Sequence, residues 1–150
     1  MKSTLIPIFG LLLLFLMSFI SIRPPQSTKT SLEGPWKLKS IHIYEDNHII
    51  DTIVSSEEYK QIKIYSEGKV MWTRYVPKDS AEWFGYGSFK VIGETLEETL
   101  EYGSSSMMKI IDTMRVFKFK LEISNDHYSQ ISVDANGQYS QAENYERIKE

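Results

Sequence analysis

Apolar residues are spread along this chain in two different ways. Residues 5–22 (LIPIFGLLLLFLMSFISI) are apolar almost without a break, whereas from Trp36 onward apolar and polar positions alternate. A helix made of the first stretch would be apolar on every side, which suits a membrane or an export path better than a soluble core. The second pattern has the period of two that belongs to half-buried β-strands. Turn residues interrupt it about every ten positions, predicting strands over 36–44, 48–54, 59–65, 69–76, 86–92, 95–102, 116–123, 128–134 and 143–148.

The segments between these strands carry turn chemistry. Glu45-Asp46-Asn47, Ser66-Glu67-Gly68, Gly93-Glu94 and Asn125-Asp126 are short hairpin signals, and the Asn-Gly pair of Ala135-Asn136-Gly137 favours a type I′ turn. Two connections are longer, 77–85 and 103–113, and the second has room for a turn of helix around 107–114. Eight or nine consecutive antiparallel strands joined mostly by hairpins predict an all-β fold, a single up-and-down barrel, preceded by an N-terminal hydrophobic helix. A Greek-key sandwich would need more long crossovers than the chain offers. Barrel closure also removes exposed sheet edges.

The eighteen apolar residues of 5–22 follow a positively charged start at Met1-Lys2. That length lies between a signal-peptide core and a spanning helix of ~17–25 residues. Ser18, Ser21 and Ser27 are the small residues at which cleavage would be expected, and each has a large residue or a proline two positions earlier. Residues 1–22 are therefore read as a signal peptide or an uncleaved membrane anchor, and the protein as exported to the cell envelope, either membrane-anchored or periplasmic/secreted. Residues 23–31 form a proline-containing polar linker, and 32–150 one domain, too short for two cores. With no cysteine in the chain, disulfides, thiol chemistry and a lipid-modified N-terminal cysteine are excluded. A net charge of −3 with both signs interspersed gives no basic footprint for nucleic acid.

Gly34-Pro35-Trp36 on the first strand and Arg147 on the last resemble the paired signature of the lipocalin-like (calycin-type) group of small exported bacterial proteins. Residues 63–72, 83–89, 93–98 and 143–147 add to that likeness. The resemblance implies a calyx-like barrel in which Arg147 lies over the Trp36 ring and closes one end. It also implies small-molecule binding in the lumen, without specifying the ligand.

Glu98 is the sharpest candidate for chemistry. It shares a face with Leu96, Leu100 and Tyr102, so an inward apolar face carries a carboxylate into the barrel, at a cost unless it is paired. Arg74, in phase with Val70, Trp72 and Val76, is the expected partner. A structural ion pair, a ligand-contacting pair and an outward Glu98 all remain open. Gln130, in phase with Tyr128, would add an amide, although Ile131 and Val133 argue for the opposite face. Trp72, Tyr86 and Tyr102 would supply aromatic contacts, and Phe117, Phe119, Leu121 and Ile123 pure core. His42, His48 and His127 do not fall at metal-ligand spacing, and no nucleophile motif appears. The expectation is a non-enzymatic barrel without metal or cofactor, holding a small apolar or amphipathic ligand against Trp72, Arg74, Tyr86, Glu98, Tyr102 and Gln130. The alternative is a ligand-free, envelope-tethered β domain used for protein–protein contact, with an apolar patch at 83–86.

Overall fold

A computed structural model of the chain describes residues 30–78 and 81–149. The expected export helix of residues 1–22 and most of the linker lie outside the described residues. Among those described, no helix is long and apolar enough to cross a membrane. The architecture is all-β: β1 (Gly34–Glu45), β2 (His48–Val54), β3 (Lys60–Ser66), β4 (Lys69–Tyr75), β5 (Trp83–Ile92), β6 (Thr95–Gly103), β7 (Val116–Ile123), β8 (His127–Val133) and β9 (Tyr139–Arg147). One short helix, α1 (Ser105–Ile111), follows β6 and is capped by Ser104 Oγ, which accepts from the Met107 amide.

Local chemistry sets the turns. Asp46 and Asn47 both have positive φ, as do Glu67 and Gly68, which gives the backbone twist a two-residue hairpin needs. The 135–137 loop does not form the expected type I′ turn. Only Gly137 has positive φ there, because the Asp134 carboxylate accepts from the Asn136 and Gln138 amides and organises a longer loop. That loop lets β9 begin at Tyr139, four residues before the predicted start.

From β3 to β9 each strand pairs antiparallel with its neighbours in sequence, and β9 closes the ring on β1 from Trp36↔Arg147 to Ile43↔Gln141. The other edge of β1 is shared. β3 occupies its first part, Gly34 to Lys37, and β2 its second, Ser40 to Glu45. Nine strands less β2 thus make an eight-stranded wall, the size that side chains or one small ligand can fill. β2 stands off that wall and is exposed along its whole length.

Trp36, Tyr65, Tyr128, Tyr145, Leu96, Val70 and Ile111 are fully buried. Burying apolar side chains of this size is worth ~1.5–3 kcal/mol each. At one end Arg147 lies with its guanidinium carbon 4.0 Å from the Trp36 ring centroid. Its nitrogens donate to the carbonyls of Ser31, Glu33 and Asn125, while the Trp36 indole donates to Leu32 O at 2.7 Å. The segment 31–33, the first strand and the last strand are stapled together at this end. α1 covers the other end and buries Met107 and Ile111. Residues 83–86 do not form the expected outer patch. Trp83, Phe84 and Tyr86 are each partly buried on β5, and the most exposed aliphatic run lies on β2 instead.

Candidate functional site

The hairpin register decides which side chains enter the lumen. The tight turn at Glu67-Gly68 pairs Ser66 with Lys69 and so places Tyr65 opposite Val70, Lys63 opposite Trp72 and Gln61 opposite Arg74. Because these pairs share one face, β3 sends Gln61, Lys63 and Tyr65 inward. Its isoleucines face out, with Ile64 43% exposed. β6 sends in Leu96, Glu98 and Leu100, β8 Tyr128 and Gln130, and β9 Glu143 and Tyr145, all buried.

These polar groups form one continuous network. Lys63 Nζ donates to both Glu98 oxygens at 3.0 and 3.2 Å and to Gln130 Oε1 at 2.8 Å. Tyr65 Oη donates to Glu98 Oε1 at 2.5 Å. Gln130 Nε2 donates onward to Glu143 Oε2 at 2.9 Å. That carboxylate also accepts from Tyr145 Oη at 2.5 Å and from Gln61 Nε2 at 3.2 Å. Arg74 completes the network, with Nε to Gln61 Oε1 at 2.6 Å and Nη2 to Glu143 Oε1 at 3.2 Å. Among the described residues no buried side-chain nitrogen or oxygen lacks a partner, as a polar interior requires.

The expected Glu98–Arg74 pair is corrected in its partners: Glu98 is paired with Lys63, and Arg74 with Glu143. The physical reason is depth. Arg74 lies two residues further along β4 than Trp72, opposite Gln61, whereas Lys63 lies opposite Trp72 and reaches Glu98; Gln130, the cross-strand partner of Glu143, bridges the two pairs. Lys63 and Glu143 both escape a reading based on apolar phase, Lys63 because its strand carries its isoleucines outside.

Aromatic rings surround the deeper pair. Lys63 Nζ lies 5.8–6.0 Å from the ring centres of Tyr145, Tyr65 and Phe119, near enough for cation–π attraction at a dry site. Tyr128 stacks on Tyr145 at 4.6 Å and meets Trp36 edge-on at 4.8 Å. Burial is the main reason that the phenols of Tyr65, Tyr128 and Tyr145 are held well above their ordinary range, with the Glu98 and Glu143 charges adding to it.

Above this floor lies a cavity of about 120 Å³, lined by Trp72, Phe117, Phe119, Leu100 and Met107 on its apolar side. Gln61, Lys63, Arg74, Glu98, Gln130 and Glu143 line its polar side. The Trp72 indole lies against Gly85, where an added Cβ would come within 2.7 Å of the ring nitrogen, so a glycine there makes room for the ring. Arg74 is the most exposed charge on the cavity, its side chain 28% accessible against 3% for Lys63.

Of the sequence-predicted contacts, Trp72, Arg74, Glu98 and Gln130 meet at this cavity, whereas Tyr86 and Tyr102 do not. Tyr86 pairs with Tyr102 but Gly87 pairs with Leu100, which leaves Glu101 as an extra residue in β6. That β-bulge reverses the phase of everything beyond it, and Tyr102 turns outward to 54% exposure. Its ring lies 5.1 Å from that of Tyr86 on the outer wall. Phe117 and Phe119, read as pure core, are cavity wall. Among the described residues no three His, Asp or Glu side chains gather where they could hold a metal ion.

No protein-family model matches the chain, and no curated protein matches its sequence. Two solved structures match its fold. A lipocalin-like protein from Bacteroides uniformis is 14% identical, with a TM-score of 0.51 over 78% of this chain and 98% of that one. An uncharacterised protein from Bacteroides eggerthii is 13% identical, with a TM-score of 0.52 over 79% of this chain and all of that one. Likeness at this level of identity establishes architecture and leaves the ligand open. With nine antiparallel strands, a ring closed between β1 and β9, and these two neighbours, the chain is lipocalin-like in fold.

Proposed function

We propose that this protein is a small-molecule binding barrel whose ligand is compact, amphipathic and without net charge. One observation carries the reading: the 120 Å³ cavity has an aromatic wall facing two cations and two carboxylates, Lys63, Arg74, Glu98 and Glu143, whose formal charges cancel. A ligand with net charge would leave one charge uncompensated in the interior, which costs several kcal/mol. A zwitterion, or an uncharged molecule with both donors and acceptors, matches the lining. The volume equals about four waters of liquid, below the ~300–1,000 Å³ of pockets for drug-sized ligands. Long-chain lipids therefore fit poorly. The apolar part of the ligand would lie on Trp72 and Met107, and its polar part would exchange hydrogen bonds with Arg74, Gln61 and Glu143. The apolar run at residues 5–22 supports an envelope location for this activity.

A second reading, a full ligand-free barrel, is favoured by the complete internal satisfaction of the buried polar groups. Native mass spectrometry of the full chain purified from its own envelope separates the two. A retained small mass that is lost in Arg74→Ala is expected. A mass equal to the polypeptide alone, for wild type and variant alike, favours the ligand-free barrel.

A further inference from the structure

β2 is the one strand outside the closed wall among the described residues. It pairs with β1 along a single edge, and Ile49, Ile50, Ile53 and Val54 are 43–67% exposed on its two faces. It contains no proline and no lysine, the residues that usually blunt such an edge.

The hydrogen bonds show which of its backbone groups face outward. Ser55 N donates to Lys39 O, continuing the β1 register in which Val54 lies opposite Ser40 and Ile53 opposite Ile41. Hydrogen-bonded and non-hydrogen-bonded pairs alternate in an antiparallel ladder, so the amides of Asp51 and Ile53 serve β1 while those of Thr52 and Val54 face away from it. Thr52 N agrees: its acceptor is Asp51 Oδ1 at 2.7 Å, a side-chain carboxylate standing where a neighbouring strand's carbonyl would be. Beyond these residues the irregularity between Ile43 and Tyr44 leaves Ile50 as the extra residue and ends the regular edge.

We infer that β2 is a self-association strand, pairing antiparallel with the β2 of a second copy about a two-fold axis through Ile53. In that register Thr52 faces Val54 of the second copy and Val54 faces its Thr52, so both outward residues exchange their N–H and C=O groups. Ile53 meets its own counterpart at the short non-hydrogen-bonded spacing of ~4.5 Å, where an apolar cross-strand pair is most favourable. Asp51, the only charged residue of β2, lies opposite Ser55, so the two carboxylates never face each other. A register centred on Asp51 would set the two carboxylates against one another. Pairing of this kind transfers Thr52 N from the Asp51 carboxylate to a backbone carbonyl.

The absence of cysteine from the chain makes the test direct. In the full-length chain in mild detergent, Ile53→Cys should oxidise to a disulfide-linked dimer, because ~4.5 Å lies within the Cα range a disulfide spans. Ile50→Cys should cross-link roughly tenfold less, since six residues of offset at ~3.3 Å each separate the two copies of that position. Thr52→Cys protein mixed with Val54→Cys protein should yield the mixed disulfide, and Val54→Lys placed in the Ile53→Cys chain should suppress its cross-link, as edge lysines oppose strand pairing. Equal cross-linking at positions 50 and 53 would overturn the inference. So would a folded Ile53→Cys protein whose thiol stays free under oxidation, or a cross-link unaffected by Val54→Lys.

Discussion

Two ion pairs occupy the lumen, similar in type and different in setting. Lys63–Glu98 is sealed from bulk solvent at the cavity floor, with side chains 3% and 4% exposed, and the rings of Tyr65, Phe119 and Tyr145 stand around Lys63. Arg74–Glu143 stands one level higher, with side chains 28% and 11% exposed, beside the partly exposed Trp72 and Tyr59. Both are tied to glutamines, and Gln130 links them. The difference shows how one polar network can serve both structure and recognition. The deeper pair is almost wholly removed from bulk solvent, so each charge depends on the other for compensation. The upper pair can exchange a partner, because water or a ligand can replace it.

Breaking the sealed pair should have the largest effect. Glu98→Ala leaves Lys63 as an uncompensated interior charge and is expected to cost ~3–5 kcal/mol in urea unfolding. Replacing both partners by apolar residues, Lys63→Met with Glu98→Leu, should recover most of that loss. A Glu98→Ala barrel as stable as wild type would mean that water reaches the floor.

Alkaline pH probes the same floor without mutation. The phenols of Tyr65, Tyr128 and Tyr145 are raised in the folded state by burial, so the native barrel retains protons that the unfolded chain releases above about pH 10. Their contribution is fully present below that pH and is lost as pH rises toward the folded values. With three such groups, stability should fall by up to ~4 kcal/mol per pH unit once the unfolded phenols ionise. Tyrosinate absorbance should rise together with unfolding. Ionisation of these three at pH 10 in a barrel that stays folded would contradict a dry floor.

At the closed end, Arg147→Ala removes the cation–π contact and three charged hydrogen bonds to main-chain carbonyls. A loss of about 2–3 kcal/mol is expected, larger than a surface arginine would give. The smallest stability effect belongs to the upper pair. After Arg74→Ala, Glu143 keeps Gln61, Gln130 and Tyr145 as donors and water can enter where the partly exposed arginine stood, so the loss should be about 1–2 kcal/mol, below that of Glu98→Ala, while small-molecule binding should weaken. Equal destabilisation by Arg74→Ala and Glu98→Ala would erase the distinction between the two levels.

Much of this arrangement is legible in the sequence, and the misses have physical causes. Period-two alternation and turn residues place the strands, and Trp36 with Arg147 marks the closure. Glu98 and Trp72 are found because each shares its phase with apolar neighbours. Lys63 is not, because β3 carries isoleucine outward and lysine inward, the reverse of the rule for a half-buried strand. The signal that could have found it is the turn at Glu67-Gly68: with Trp72 inward, the two-residue loop forces Lys63 inward as well. Tyr102 fails for another reason. A single extra residue at Glu101 inverts the phase, and the glycine at the bulge, Gly87, lies on the facing strand β5, where a reading of β6 alone does not meet it. Nor does local pattern reveal that β2 leaves the wall, since that depends on β2 and β3 sharing one edge of β1.

The division between sealed floor and open cavity can be read from two of the chain's three tryptophans. The Trp36 indole N–H is held by Leu32 O in the closed end, whereas the Trp72 ring lines the cavity. Indole ¹H–¹⁵N signals of the full chain would be followed against a panel of small zwitterions and uncharged amides, none larger than about four water volumes. Members of the panel that bind should shift the Trp72 signal and leave that of Trp36 in place, and Arg74→Ala should abolish the shift. A panel that moves neither signal, or moves Trp36 as much as Trp72, would contradict a binding cavity above a sealed polar floor.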